Sequence, residues 1–376
     1  MHLRTGERKI MRLEKIELSG FKSYDERLHG LELGDITILL GANGSGKSNL
    51  VSLFNLIAFG MSGNLQGYVL RNDVNSLLYY GSRVSQDLKF AVTFKDENAT
   101  DRYAVSLSFA KPDRLYVSSE TVRYEKQGEP VPFEKKLNGD FELALPEERD
   151  TTSLYLKRLL QNIHVYQFED TSDTARIKAR GYVDDASYLR SDAGNLAAFL
   201  YRLRNSEKYL KYYNRIVAYV KKTMPQFNDF SLELLDDQRV RLNWTDTENG
   251  DYLFGPHQIS DGSLRFMALA TLLLQPPELQ SKVIVLDEPE LGLHPQAIVL
   301  LASMIKTASR NAQVVVSTQS TRLVDEFSAS DVAVIERDAS RKSSIIKRLD
   351  AKSLEGWLGE YSLSELWEKN VFGGQP

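Results

Sequence analysis

ITILLGANGSGKSNLVSLFNLIAF, residues 36–59, contains a complete G-x-x-x-x-G-K-[ST] loop at 41–48, between an apolar run and a helix-like one. That order, strand then loop then helix, turns a short pattern into a mechanism. The glycines permit positive φ, so successive backbone N–H groups turn inward towards a phosphate chain, and the helix behind adds the positive end of its dipole. Gly41, Ala42, Asn43, Gly44, Ser45, Gly46, Lys47, Ser48 and Asn49 are therefore expected to hold a nucleotide. Within that set Lys47 reaches the β- and γ-phosphates and the Ser48 hydroxyl holds Mg²⁺.

Bulk properties narrow the class. A chain of 376 residues, 42% hydrophobic and 26% charged with 11 prolines, has the composition of a soluble globular protein. Its length suggests about two to three domains. No apolar run approaches the roughly 20 residues of a membrane span, and the opening MHLRTGERKI lacks the apolar core of a signal peptide. A cytoplasmic location without a membrane partner is expected, with the first ten residues an optional leader and Met11 an alternative start. The absence of cysteine excludes disulfides, thiolate metal sites and cysteine nucleophiles. A net charge of −4 argues against coating nucleic acid through bulk charge. The basic clusters Arg176/Lys178/Arg180, Lys221/Lys222 and Arg341/Lys342/Lys347/Arg348 read as solvated surface, and nucleic acid stays open as a partner.

Along the chain, RLEKIEL at 12–18 alternates as a half-buried strand does, and GFKSY after it is read as strand. From 87 to 131, alternating segments separated by DENATD and KPD suggest an antiparallel meander. Thr151–Gln161 and 194–224 read as helices, the second a long one, and strand character returns at 231–244. SDGSLRFMALATLLL is a helix with Ser260 as N-cap. KVIVLD, QAIVLLASMIKTAS and QVVVST then form a βαβ pattern with strands buried on both faces. A hairpin, DVAVIERDASRKSSIIKRL, and an amphipathic tail with Trp357 and Trp367 follow. The expected fold is α/β with a mixed or parallel core sheet. Its halves, 1–67 and 251–376, are separated by an inserted α+β lobe at 68–250.

VIVLDE, 283–288, ends an apolar strand in two carboxylates. Asp287 is placed to hold Mg²⁺ and Glu288 to polarise an attacking water. ISDGSLRF, 259–266, resembles the signature sequence of ABC-type ATPases, and Ser260 precedes Asp287 by 27 residues. By that resemblance Ser260, Asp261, Gly262 and Ser263 of one copy complete the phosphate site of another, with the helix dipole facing the γ-phosphate. EPELGLHP, 288–295, resembles the D-loop between paired sites, so Glu290, Gly292 and His294 are candidates for transmitting its state. His294 reads as structural, because no second histidine stands at ligand spacing. STQS, 317–320, occupies the switch position, where this class usually has histidine and this chain has Gln319. An amide orients water but carries no positive charge, so slow or partner-dependent turnover is expected. Gln167 in VYQFEDTS resembles the Q-loop residue that contacts Mg²⁺; a plain strand-end polar residue is the alternative.

GFKSY, GANGSGKSN, ISDGSLRF, VLDEPELGLHP, STQS and the tail GWLGEYSLSELWEKNVFGG together resemble the RecF/SMC-related branch of ABC-type ATPases. More narrowly they resemble the small stand-alone AAA-family ATPases of bacteria and archaea. The resemblance covers about 1–70 and 251–376, and the middle only through VYQFEDTS. It implies an ABC-type P-loop ATPase head that uses ATP and Mg²⁺ and forms a head-to-tail dimer, or a higher oligomer, around two ATPs. Its relatives serve DNA repair and anti-phage defence, where such a chain works beside a separate effector such as a nuclease. Unlike SMC proteins this chain has no long heptad segment. Unlike OLD-type nucleases it has 57 residues after Gln319 and no acidic cluster suited to a TOPRIM domain, so a nuclease is expected on another chain. An ATP-stabilised scaffold or sensor and a transporter's nucleotide-binding subunit stay as alternatives; the large insertion and GFKSY count against the latter.

Overall fold

The computed structural model describes residues 11–129, 131–235, 237–248, 250–352 and 354–375. They group into two compact units, one of residues 11–163, 330–352 and 367–375, the other of 164–329 and 354–366.

In the first unit an antiparallel sheet has the order His29–Glu32, Arg12–Ser19, Asp87–Lys95, Ala99–Ala110, Arg114–Lys126, Phe133–Leu137. Period-two burial drives it: Asp101, Tyr103, Val105 and Leu107 point into the core while Arg102, Ala104 and Ser106 are half-buried. The turn after Asp87–Lys95 closes because the Asp96 carboxylate accepts the amides of Asn98 (2.8 Å) and Ala99 (2.7 Å). The expected meander thus forms. It pairs directly with the N-terminal strand, Ile16 opposite Val92, so hydrogen bonding ties residues placed in the 68–250 lobe to those before 67.

The same unit holds the fully buried strand Ile36–Leu40, parallel to Val332–Asp338, which forms the expected hairpin with Ser343–Arg348. Ile36–Leu40 feeds helix Lys47–Met61, whose Leu50, Leu53, Phe54 and Ile57 make a buried stripe. GFKSY is a tight turn rather than a strand: the Gly20 N–H donates to the Asp25 carbonyl (2.7 Å) and Phe21 bridges Tyr24.

In the second unit Val283–Asp287 and Gln313–Thr318 pair in parallel, Val285 opposite Val315, with Ile163–Tyr166 flanking Val283–Asp287. Helix Pro295–Ala308 connects the parallel pair, completing the βαβ unit. Helix Asp261–Leu274 packs against Leu210–Thr223 and Pro295–Ala308. The helix expected over 194–224 divides into Leu196–Arg204 and Leu210–Thr223. Asn205 explains the break: its backbone N–H (3.0 Å) and its side-chain amide (2.9 Å) both donate to the Tyr201 carbonyl, closing the helix end before Ser206. The expected strand at 231–244 appears, among the described residues, as separate short strands: Phe227–Ser231 pairs with Asn243–Asp246, and Arg239–Val240 pairs with Gly181–Tyr182. Among the described residues no helix is long and apolar enough to cross a membrane.

Candidate functional site

The expected site residues fall in both units, and each group has its own local construction. In the first unit the phosphate loop is braced from beneath by residues distant in sequence. The buried Tyr24 hydroxyl donates to the Gly46 carbonyl (3.1 Å), and burial pushes that phenol well above its ordinary range. Ser344 Oγ donates to the Ser45 carbonyl (2.5 Å) and lies 2.7 Å from Ser23 Oγ, which accepts from Asn49 Nδ2 (2.9 Å). Gly46 has φ 113°, and a Cβ there would run into Ser344 Oγ, so only glycine serves. None of Ser23, Tyr24 and Ser344 was identified from sequence.

The loop's upper side is open. Asn43, Gly44 and Ser48 are exposed, and nothing lies within 4 Å of a Cβ built on Gly44. Helix Lys47–Met61 has no side-chain cap at Gly46, and the buried Ser45 Oγ has no hydrogen-bond partner. Lys47 folds back, its ammonium donating to the carbonyls of Gly41 (2.7 Å) and Ala42 (3.0 Å). Uncapped helix N–H groups, an orphaned hydroxyl and an ammonium resting on its own loop together fit a phosphate chain, which would offer all three stronger acceptors.

In the second unit Asp287 accepts a hydrogen bond from Ser317 Oγ across the parallel pair. Glu288 follows with φ 43°, a left-handed conformation that costs a non-glycine residue roughly 1–3 kcal/mol and clusters at functional sites. It is held by its N–H donating to the Ser317 carbonyl (3.0 Å). Gln319 Nε2 donates weakly to Glu288 Oε2 (3.4 Å). Thr318 Oγ1 donates to Glu290, which is 9% exposed and keeps Oε2 unpartnered. Burial raises the Glu290 carboxyl, against the Thr318 bond and with Glu288 adding repulsion.

Ser260 caps helix Asp261–Leu274 by accepting the Ser263 amide (3.2 Å), as its sequence position predicts. A Cβ on Gly262 would overlap the Gly292 carbonyl, so helix and 289–294 loop meet backbone to backbone. Arg265 was missed. Its guanidinium donates to the Leu291 carbonyl (2.8 Å) and the Glu169 carbonyl (2.7 Å), joining helix Asp261–Leu274, the 289–294 loop and the stretch after Gln167. The available signal was the one charged residue after Asp261 in a helix that is mostly apolar beyond its first turn. Arg265, Tyr166, Phe168, Leu286, Asp287 and Glu288 line one cleft. Gln167 is exposed at the end of Ile163–Tyr166, its N–H donating to the Ser191 carbonyl (3.0 Å). His294 caps Pro295–Ala308, its Nδ1 accepting the Gln296 amide (3.3 Å).

Most of the basic-cluster residues are exposed, as expected: Arg176, Arg180, Lys221, Lys222, Arg341, Lys342 and Lys347; Lys178 and Arg348 are the exceptions. Lys178 is 7% exposed, Lys347 pairs with Glu336, and Arg348 donates to the carbonyls of Glu32 (3.1 Å) and Ser330 (2.8 Å). Among the described residues no group of three His, Asp or Glu side chains could hold a metal ion.

The family model described as "AAA domain, putative AbiEii toxin, Type IV TA system" matches residues 36–325. No curated protein matches the chain. Similar solved structures are SMC heads. One, bound to the C-winged helix domain of ScpA, is 19% identical, with 92% of this chain and 99% of that chain covered at a TM-score of 0.59. A second, with an extended coiled coil and the C-terminal domain of ScpA, derived from Pyrococcus furiosus, is 17% identical over 93% and 99%, TM-score 0.59. A third, with a coiled coil and joint, from Pyrococcus yayanosii, is 14% identical over 93% and 99%, TM-score 0.57. At such identities the likeness is one of fold, the α/β head of ABC-type ATPases.

Proposed function

This chain belongs to the AAA domain family whose model spans residues 36–325, and on that premise we propose an ABC-type ATPase that closes head to tail on a second copy around two ATPs. The observation that carries the reading is the phosphate loop: uncapped helix N–H groups, an unpartnered Ser45 hydroxyl and a Lys47 ammonium parked on loop carbonyls. In this reading the amides of 43–49 and Lys47 bind the phosphates. Ser48, Asp287 and Gln167 are each proposed as oxygen ligands that would serve Mg²⁺, which when bound would supply positive charge to the phosphates. Glu288 orients and polarises the attacking water. Ser260 to Ser263 of the second copy face the γ-phosphate, their helix dipole towards it.

The closing and opening of this pair controls a separate effector, such as a nuclease, or a nucleic-acid contact, in anti-phage defence or DNA repair. Two observations support a protein partner: the family description refers to a toxin of a Type IV TA system, and two of the similar SMC heads are bound to ScpA domains. Purification of the native complex, with its protein and nucleic-acid content identified, tests the partner. Protein that neither binds ATP nor alters its self-association with ATP overturns the proposal. Gln319 favours a second reading, an ATP-stabilised scaffold with little turnover; equal, negligible hydrolysis by wild type and Glu288→Gln would select it.

A further inference from the structure

Residues 370–375, NVFGGQ, lie on the phosphate loop within the first unit. The Gly374 carbonyl accepts the N–H of Ala42, the second residue of the loop (3.0 Å). The Gly374 N–H in turn donates to Glu336 Oε2 (3.0 Å), on the strand Val332–Asp338. Gly373 and Gly374 both have positive φ, 83° and 86°. A Cβ on Gly374 would come within 2.6 Å of Val334 Cγ1 and 3.1 Å of Trp367 Nε1, and one on Gly373 would overlap Glu336 Oε2. Two left-handed glycines in such contact are what let the segment enter this narrow space.

Ala42 is held at both ends. Its N–H is taken by Gly374, and its carbonyl is one of the two on which the Lys47 ammonium rests. Shifting this peptide therefore shifts the loop entry and the resting place of the cation that meets the phosphates.

We infer that residues 370–375 are a positioning strap for the phosphate loop, so that seating of the strap and nucleotide affinity are coupled. The inference rests on the loop's proposed role as a nucleotide site. Coupling is reciprocal: if the seated strap strengthens nucleotide binding, bound nucleotide strengthens strap seating by the same factor. Glu336 is the side chain through which this can be tested, because it holds Gly374 through Oε2 while Oε1 pairs with Lys347.

The experiment titrates a fluorescent ATP analogue into the full chain as wild type, Glu336→Ala, Glu336→Gln, Lys347→Ala, Gly374→Ala and Lys47→Ala, with thermal unfolding recorded for each. Loss of one charge-assisted hydrogen bond predicts roughly tenfold weaker binding for Glu336→Ala. Glu336→Gln keeps an oxygen for the Gly374 N–H and recovers most of the affinity. Lys347→Ala, which breaks only the ion pair, leaves it unchanged. Amide exchange at Ala42 in nucleotide-free protein is slow in wild type and fast in Glu336→Ala and Gly374→Ala. The inference is overturned if the Glu336 and Gly374 variants bind like wild type while Lys47→Ala binds more weakly, or if Ala42 exchange is the same in all. Wild-type protein that binds no nucleotide overturns the site reading itself, and the strap inference with it.

Discussion

Gln319 Nε2 donates to Glu288 Oε2 at 3.4 Å, joining the side chains that follow two adjacent parallel strands. Glu288 reaches that place in a left-handed conformation, φ 43°, that the Ser317 carbonyl holds through its N–H. A carboxylate oriented by a neutral amide can still accept a proton from water, but the amide itself brings no positive charge to the transferring phosphoryl group.

Glu288→Gln is therefore expected to lower ATP turnover by roughly 10²–10⁴-fold, the usual contribution of a positioned base, with ATP binding retained. Phosphate release under saturating ATP measures it. A variant as active as wild type would remove Glu288 from the chemistry.

Lys47→Ala acts earlier. The ammonium already sits on the Gly41 and Ala42 carbonyls and has only to exchange them for phosphate oxygens. Removing a charged donor weakens ATP binding by about ten- to a hundredfold. Calorimetric titration reads the change, and undiminished affinity would contradict the loop's role.

Ser260→Arg separates binding from assembly. Ser260 is a helix N-cap in the second unit, hydrogen-bonded to Ser263. The variant is expected to bind ATP as wild type does and to lose ATP-dependent self-association, because a long cation replaces the small cap where a second copy's phosphates belong. Intact ATPase activity would refute the site shared between copies.

Glu290 gives a pH dependence with a definite sign. Burial raises its carboxyl, so the folded chain binds more protons than the unfolded one over the window above the ordinary glutamate pKa. The stability it contributes is present below that pKa and is lost as pH rises through the raised value. Glu290→Gln keeps an acceptor for Thr318 and removes the buried charge. Relative to wild type it should unfold at a higher temperature near about pH 8, with the gain shrinking towards about pH 4. Calorimetry at both pH values checks this; a gain that grows on acidification would show that the carboxyl is not raised.

The motifs were legible because each is a local object. A strand, a glycine turn and a helix start at Ile36–Leu40 and 41–48 are fixed by neighbours within one turn, and so is the Ser260 cap. The bracing of the loop was not legible. Ser344 and Ser45 are 299 residues apart, and only the pairing of Val332–Asp338 with Ile36–Leu40 brings that hairpin beneath the loop. Arg265 escaped notice for the same reason, since both of its acceptors are carbonyls of remote segments. The break at Asn205 went unseen because apolar residues continue at helical spacing on both sides, while a side-chain amide bond to Tyr201 ends the first helix.

The most direct test of the shared site is sedimentation velocity of Glu288→Gln with and without Mg²⁺-ATP, with Ser260→Arg on the same background as control. Slowed hydrolysis should trap the closed pair, so ATP is predicted to raise the mass of Glu288→Gln from that of one copy to at least two, and to leave the Ser260→Arg form unchanged. The same mass for Glu288→Gln with and without ATP, at concentrations where the nucleotide is bound, would contradict it.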